Sequence, residues 1–146
     1  MRKHRFSTFS PTLGDLSNRI ESLLSWCIAA QRSAVQKTCP RCEDPCCGRV
    51  QYLYDEKDVL YLEFSGQGEP PRKDRRRTPG CPYLGARGCT LRPQARPYAC
   101  HRYVCAVLEA ALRSERAALP GDLQQAIRDI EALRAELFTR YLEILS

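Results

Sequence analysis

Eight of the nine cysteines in this chain fall between Cys39 and Cys105, and their spacing limits what the middle of the chain can become. They come in two groups. CPRCEDPCC sets Cys39 and Cys42 three apart and Cys46 beside Cys47, while CPYLGARGC, RPYAC and HRYVC supply Cys81, Cys89, Cys100 and Cys105. A chain of 146 residues, 43% apolar and 27% charged, is long enough to bury a core as one domain spanning 1-146. It does not need cross-links for bulk stability, so the cysteines point to chemistry.

A Cys-x-x-Cys turn brings two sulfurs to about the separation that one tetrahedral metal ion requires, and zinc and iron–sulfur sites use this spacing. Adjacent Cys46 and Cys47 do not easily reach one metal from regular backbone, so the pair suits two metals or a cluster with two faces. Four plus four sulfurs is the count for two closed four-sulfur sites, or for one cluster with spare thiols. Spacing does not say which sulfurs share a metal.

Three other uses compete. Disulfides would consume all eight cysteines but require an oxidising compartment. The basic start, MRKHRFSTFSPTLGD, is followed by no apolar run of signal-peptide length, so a cytoplasmic location with reduced thiols is expected. No stretch approaches the roughly 20 apolar residues of a membrane span. Cys39-Pro-Arg-Cys42 resembles a redox dithiol, yet the βαβ context of a thioredoxin-like site is absent. Lastly, some cysteines could simply pack, and that use stays open for Cys81 and Cys105 in particular.

The flanks are helical in pattern. Over 12–37, Leu16, Ile20, Leu23, Cys27, Ala30 and Ala34 recur at steps of four and three, with Ser10 and Pro11 as the start. Cys27 lies on that stripe and reads as a small buried hydrophobe. A second helix is predicted from Tyr103 to Leu119, with Val104, Val107, Leu108, Ala111 and Leu112 on one face. After a break at Pro120, Gly121 and Asp122, with Asp122 and Gln125 resembling a capping box, a long helix should follow. Its stripe of Leu123, Ile127, Ile130, Leu133, Leu137, Tyr141 and Leu145 suits an internal seam better than a homodimer contact, though its near-heptad spacing allows both. Between the flanks, residues 38–101 are rich in Cys, Pro, Gly and Arg. RVQYLY reads as a short strand, DEKDVLYLEF as a strand or as a helix started by Asp55, and 66–80 as a loop. The fold class expected is mainly α: terminal helices (12-37 and 103-146) around a loop-rich, cysteine-rich hub (38-105) with at most a short strand or hairpin.

Lys and Arg exceed Asp and Glu by 23 to 17, a net +6, which favours an anionic partner. Eight thiolates with two zinc ions carry about −4, and the formal +6 then becomes about +2. Arg41, Arg49, Arg87, Arg92, Arg96, Arg102 and His101 all lie near cysteines, where they would donate to anionic sulfur, and His101 is an alternative ligand. The run PRKDRRR, with Arg72, Lys73, Arg75, Arg76 and Arg77, is the candidate for nucleic-acid binding over 72-77. No aromatic residues are interleaved there as a stacking surface needs, so specific recognition is not expected. No phosphate loop or acid–base constellation is present, so no catalytic residue is assigned and enzyme activity is not expected. Glu43-Asp44 and Asp55-Glu56 read as loop polarity or helix capping.

CPRCEDPCC, CPYL, GCTL and Arg96-Pro97 with Cys100 and Cys105 resemble the YkgJ-type cysteine-cluster family, whose domain is described as zinc- or iron-chelating. The resemblance covers about residues 38–105 and leaves the flanking helices outside. It departs from the family in the segment TLRPQA, where a hydrophobic-Tyr pair and one residue fewer are usual, and at His101, where arginine is frequent. A similar cluster occurs in flagellin lysine methylases beside further sequence that this chain lacks. The resemblance implies metal chelation by Cys39, Cys42, Cys46, Cys47, Cys81, Cys89, Cys100 and Cys105, and no established reaction. Zinc is the metal favoured, as two ions, with iron or a [4Fe-4S] cluster as the alternative. The latter would suit electron transfer or cluster delivery to a protein partner.

Overall fold

Thr12 starts the first helix: its hydroxyl accepts from the Asp15 N–H and the Asp15 carboxylate accepts from the Thr12 N–H, both at 3.0 Å. This reciprocal cap replaces the Ser10-Pro11 start expected from sequence. The computed structural model describes residues 11–43, 46, 53–70, 80–86 and 88–146. In order these form α1 (Leu13–Thr38), α2 (Glu56–Phe64), β1 (Leu84–Gly85), β2 (Gly88–Cys89), α3 (Tyr98–Arg102), α4 (Ala106–Glu115) and α5 (Leu119–Leu145). Short 3₁₀ turns occupy Cys39–Arg41 and Pro93–Ala95. The architecture is mainly α.

The principal interface joins the two long terminal helices, α1 and α5, with α2 and α4 set against them. Leu16, Ile20, Leu24, Cys27 and Ala34 of α1 meet Leu123, Ala126, Ile130, Leu133 and Leu137 of α5 in one buried cluster. Cys27 is fully buried and its thiol is pushed up to about 11 by burial, as expected of a core side chain. Leu24 takes the buried place expected of Leu23, which is only partly covered. At the far end of α5 the predicted stripe fails, since Leu145 is 64% exposed.

The α4–α5 junction differs from the sequence reading. Cys105 caps α4, which ends at Glu115, and α5 begins at Leu119 with Pro120 in its first turn. Proline fits there because the first-turn N–H has no intrahelical partner. Asp122 is thus inside the helix and pairs with Arg116 at 2.9 Å. Val107, assigned to the buried face of α4, is 67% exposed, leaving Leu108 and Leu112 to carry the contact.

DEKDVLYLEF is a helix, decided by a second reciprocal cap. Asp58 N–H donates to Asp55 at 2.8 Å, and Asp55 N–H donates to Asp58 at 3.0 Å. Helix α2 ends through Gly66 and Gly68 at φ 80° and 90°, a left-handed region that glycine enters at little cost. The strand expected over RVQYLY lies largely outside the described residues, and Leu53 and Tyr54 form no strand. The loop over 71–79, including the basic run 72–77, also lies outside them. The only sheet among the described residues is the hairpin pairing Leu84 with Cys89 and Gly85 with Gly88. No helix among the described residues is long and apolar enough to cross a membrane.

Candidate metal centre

Four stretches of the middle segment converge on the C-terminal end of α1. Cys39 ends that helix, and its carbonyl accepts from the Cys42 N–H at 3.1 Å, closing the Cys-x-x-Cys turn. Gly80, at φ 125°, turns the chain into Cys81, whose carbonyl accepts from the Leu84 N–H at 3.1 Å. Cys89 sits on β2, held where both the N–H and the hydroxyl of Thr90 donate to the Tyr83 carbonyl at 2.8 Å. Cys100 lies on α3, and Cys105 caps α4.

These turns place Cys39, Cys46, Cys81, Cys89, Cys100 and Cys105 around one cavity of about 370 Å³, walled also by Tyr83, Pro97, Tyr103 and Leu108. Six of the eight candidate ligands therefore share one space, including Cys81 and Cys105, for which simple packing was open. Cys42 is exposed and does not line the cavity, and Cys47 lies outside the described residues. No disulfide engages Cys39, Cys42, Cys81, Cys89 or Cys105. Burial pushes the Cys39 thiol up, and its neighbours Cys105, Cys46 and Cys42 add to the shift, as crowded sulfurs must. Among the described residues no group of three or more His, Cys, Asp or Glu residues is already disposed to hold a metal ion.

Two sulfurs accept backbone N–H groups. Leu91 N–H donates to Cys89 Sγ and Leu108 N–H to Cys105 Sγ, each at 3.4 Å. Such N–H···S contacts suit a sulfur that carries negative charge, and at Cys105 the N-terminal dipole of α4 adds to them. The arginines divide differently from expectation. Arg96 lines the cysteine cavity, whereas Arg92 donates to Gln67 at 2.5 Å and Arg102 faces Glu131 at 3.7 Å. Arg49 and Arg87 lie outside the described residues. His101 is absent from the cysteine cavity wall and is buried behind it, with its pKa pushed down to about 4, first by burial and then by Arg96.

The side chains that fix this centre escape a motif search. Arg134, buried on α5, reaches Asp58 at 2.8 Å and Asp55 at 2.8 and 3.1 Å, and its guanidinium stacks 4.3 Å from the Tyr98 ring centre. Asp58 also accepts the Tyr98 N–H at 3.0 Å, and Tyr98 donates its hydroxyl to Glu131 at 2.9 Å. Burial opposes ionisation of Asp55, but the Asp58 N–H and Arg134 outweigh it and hold its carboxyl below the usual range. The Asp58 carboxyl is raised, because deeper burial outweighs the same kind of partners. This ion-pair network ties α2 and α5 to the start of α3, two residues before Cys100. Tyr54 and Tyr61 fasten the adjoining turn, donating to the Ala95 carbonyl at 2.6 Å and the Gln94 carbonyl at 3.1 Å. The signal for Arg134 was a charge beside Leu133 on the apolar stripe, and for Asp58 the Asp-x-x-Asp spacing.

Comparison with family models, with curated proteins and with solved structures finds no match to this chain.

Proposed function

We propose that this chain is a metal-binding protein whose clustered cysteines hold zinc, most simply as two ions, and that the metal organises the segment between α1 and α4. One observation carries the reading: six cysteines from separate stretches of the sequence line one cavity of about 370 Å³. The donors fit the chemistry, since thiolate sulfur is the preferred ligand of structural zinc and two of the sulfurs already accept N–H groups. Cys42, beside Cys39 on the same turn, and Cys47, next to Cys46, complete the proposed set of eight. Bound metal would neutralise the mutual repulsion of the crowded thiolates, and four-sulfur coordination leaves no open position for substrate. The role is therefore structural, and the resemblance to the YkgJ-type family supports the same reading.

The alternative is an iron–sulfur centre used in electron transfer or cluster delivery, because six sulfurs around one space exceed what a single tetrahedral ion takes. Metal and acid-labile sulfide analysis of anaerobically purified protein separates the two. About two zinc per chain and no visible absorbance is the expected result. Iron with sulfide and brown colour selects the alternative, and metal-free folded protein contradicts both. For partners, Leu142, Ile144 and Leu145 at the exposed end of α5 are where a second copy would dock, read as a dimer by sedimentation.

A further inference from the structure

A second cavity, of about 280 Å³, backs onto the cysteine cavity, and Gln31, Val35, Arg96 and Cys100 line both. Its polar lining is one-sided. Arg32, Arg96, Gln31, Gln36 and His101 contribute, and no Asp or Glu does. Among the described residues neither arginine makes an ion pair. Two buried atoms here lack partners: Arg96 Nε, an obligatory donor, and His101 Nε2. Buried polar atoms in folded proteins nearly always find partners, and a guanidinium without a carboxylate invites a bound acceptor.

We infer that this second cavity is a binding site for a small oxyanion such as inorganic phosphate. Arg96 donates from Nε to one anionic oxygen, Arg32 adds charge from the rim, and His101, whose Nε2 has no partner, lines the same wall. Gln31 and Gln36 supply adaptable amides at the α1 side. Because Arg96 and Cys100 belong to both cavities, the anion sits against the wall of the cysteine centre. The assignment does not require the metal reading, since none of these five groups belongs to the proposed set of eight cysteine ligands.

The test follows the arginine Nε–Hε resonances of the purified protein by ¹H–¹⁵N NMR during titration with inorganic phosphate, at ionic strength held constant with sodium chloride. A saturable shift of the resonance lost in Arg96→Lys is expected. That variant should bind phosphate about tenfold more weakly or worse, through loss of a charge-assisted hydrogen bond. Arg32→Gln, at an exposed position where folding is not at stake, should weaken binding several-fold. No saturable shift, or equal shifts in both variants, would overturn the site. Metal content measured on the same samples keeps failure of this site distinct from failure of the metal reading.

Discussion

The α1–α5 frame and the cysteine-bearing middle are stabilised by different physics. In the frame, Leu16, Ile130 and Leu137 are essentially inaccessible to solvent, and long helices repeat the same apolar contact turn after turn. In the middle, α2 apart, the regular elements among the described residues are two-residue strands, 3₁₀ turns and a five-residue helix, none of which nucleates alone. These pieces hang on a few side chains: Arg134 with Asp58 on one side, Tyr54 and Tyr61 on the turn at Pro93–Ala95. Six of the cysteines then line one cavity. A frame built from burial stands by itself, whereas a hub built from turns needs fastening at its rim and, on the proposed reading, a metal at its centre.

Breaking the rim should show the largest effect in a single side chain. Arg134→Ala leaves Asp58 charged and buried without its partner, and should cost about 3–5 kcal/mol in denaturant unfolding. Arg134→Met combined with Asp58→Asn should recover much of that loss; equal destabilisation in the double variant would mean that packing, not the charge pair, dominates. Next comes the frame. Leu137→Ala should cost roughly 2–5 kcal/mol by opening a cavity, with bound metal per folded chain unchanged.

The two classes of cysteine should separate cleanly. Cys100→Ser should lower metal content in proportion to the site it belongs to, whereas Cys27→Ala should leave metal content intact and cost about 1 kcal/mol. Tyr54→Phe deletes the hydrogen bond to Ala95 and should cost about 1 kcal/mol, with the effect confined to hydrogen exchange around the 3₁₀ turn. The smallest change is expected at Ile144→Ala, 68% exposed, within about 0.5 kcal/mol of the parent.

The frame was readable from sequence because its contacts repeat at helical period, so Leu16, Ile20 and Cys27 announce their face before any partner is known. Helix α2 was ambiguous for the opposite reason: Val59, Leu60, Leu62 and Phe64 fit no single period, and the capping exchange between Asp55 and Asp58 settles its conformation. At α5 the proline was read as a stop, though at the first turn it is a start. The candidate ligands were legible as residue types at chelating spacing, but their convergence depends on the turns at Gly80, Thr90 and Pro97. Arg134 was legible only as a charge beside the apolar stripe and its role was not, since its partner Asp58 lies 76 residues away. Nor was the oxyanion cavity, whose walls come from α1, the turn before α3, and α3 itself.

The central claim is that metal organises the hub while the frame folds without it. Amide hydrogen exchange on the anaerobically purified protein, with and without a strong chelator, tests it directly. The account predicts that chelation strips protection from residues 80–105 and from the Leu108 amide, which donates to Cys105 sulfur, while α1 and α5 stay protected. Identical exchange in both conditions throughout the chain would contradict it.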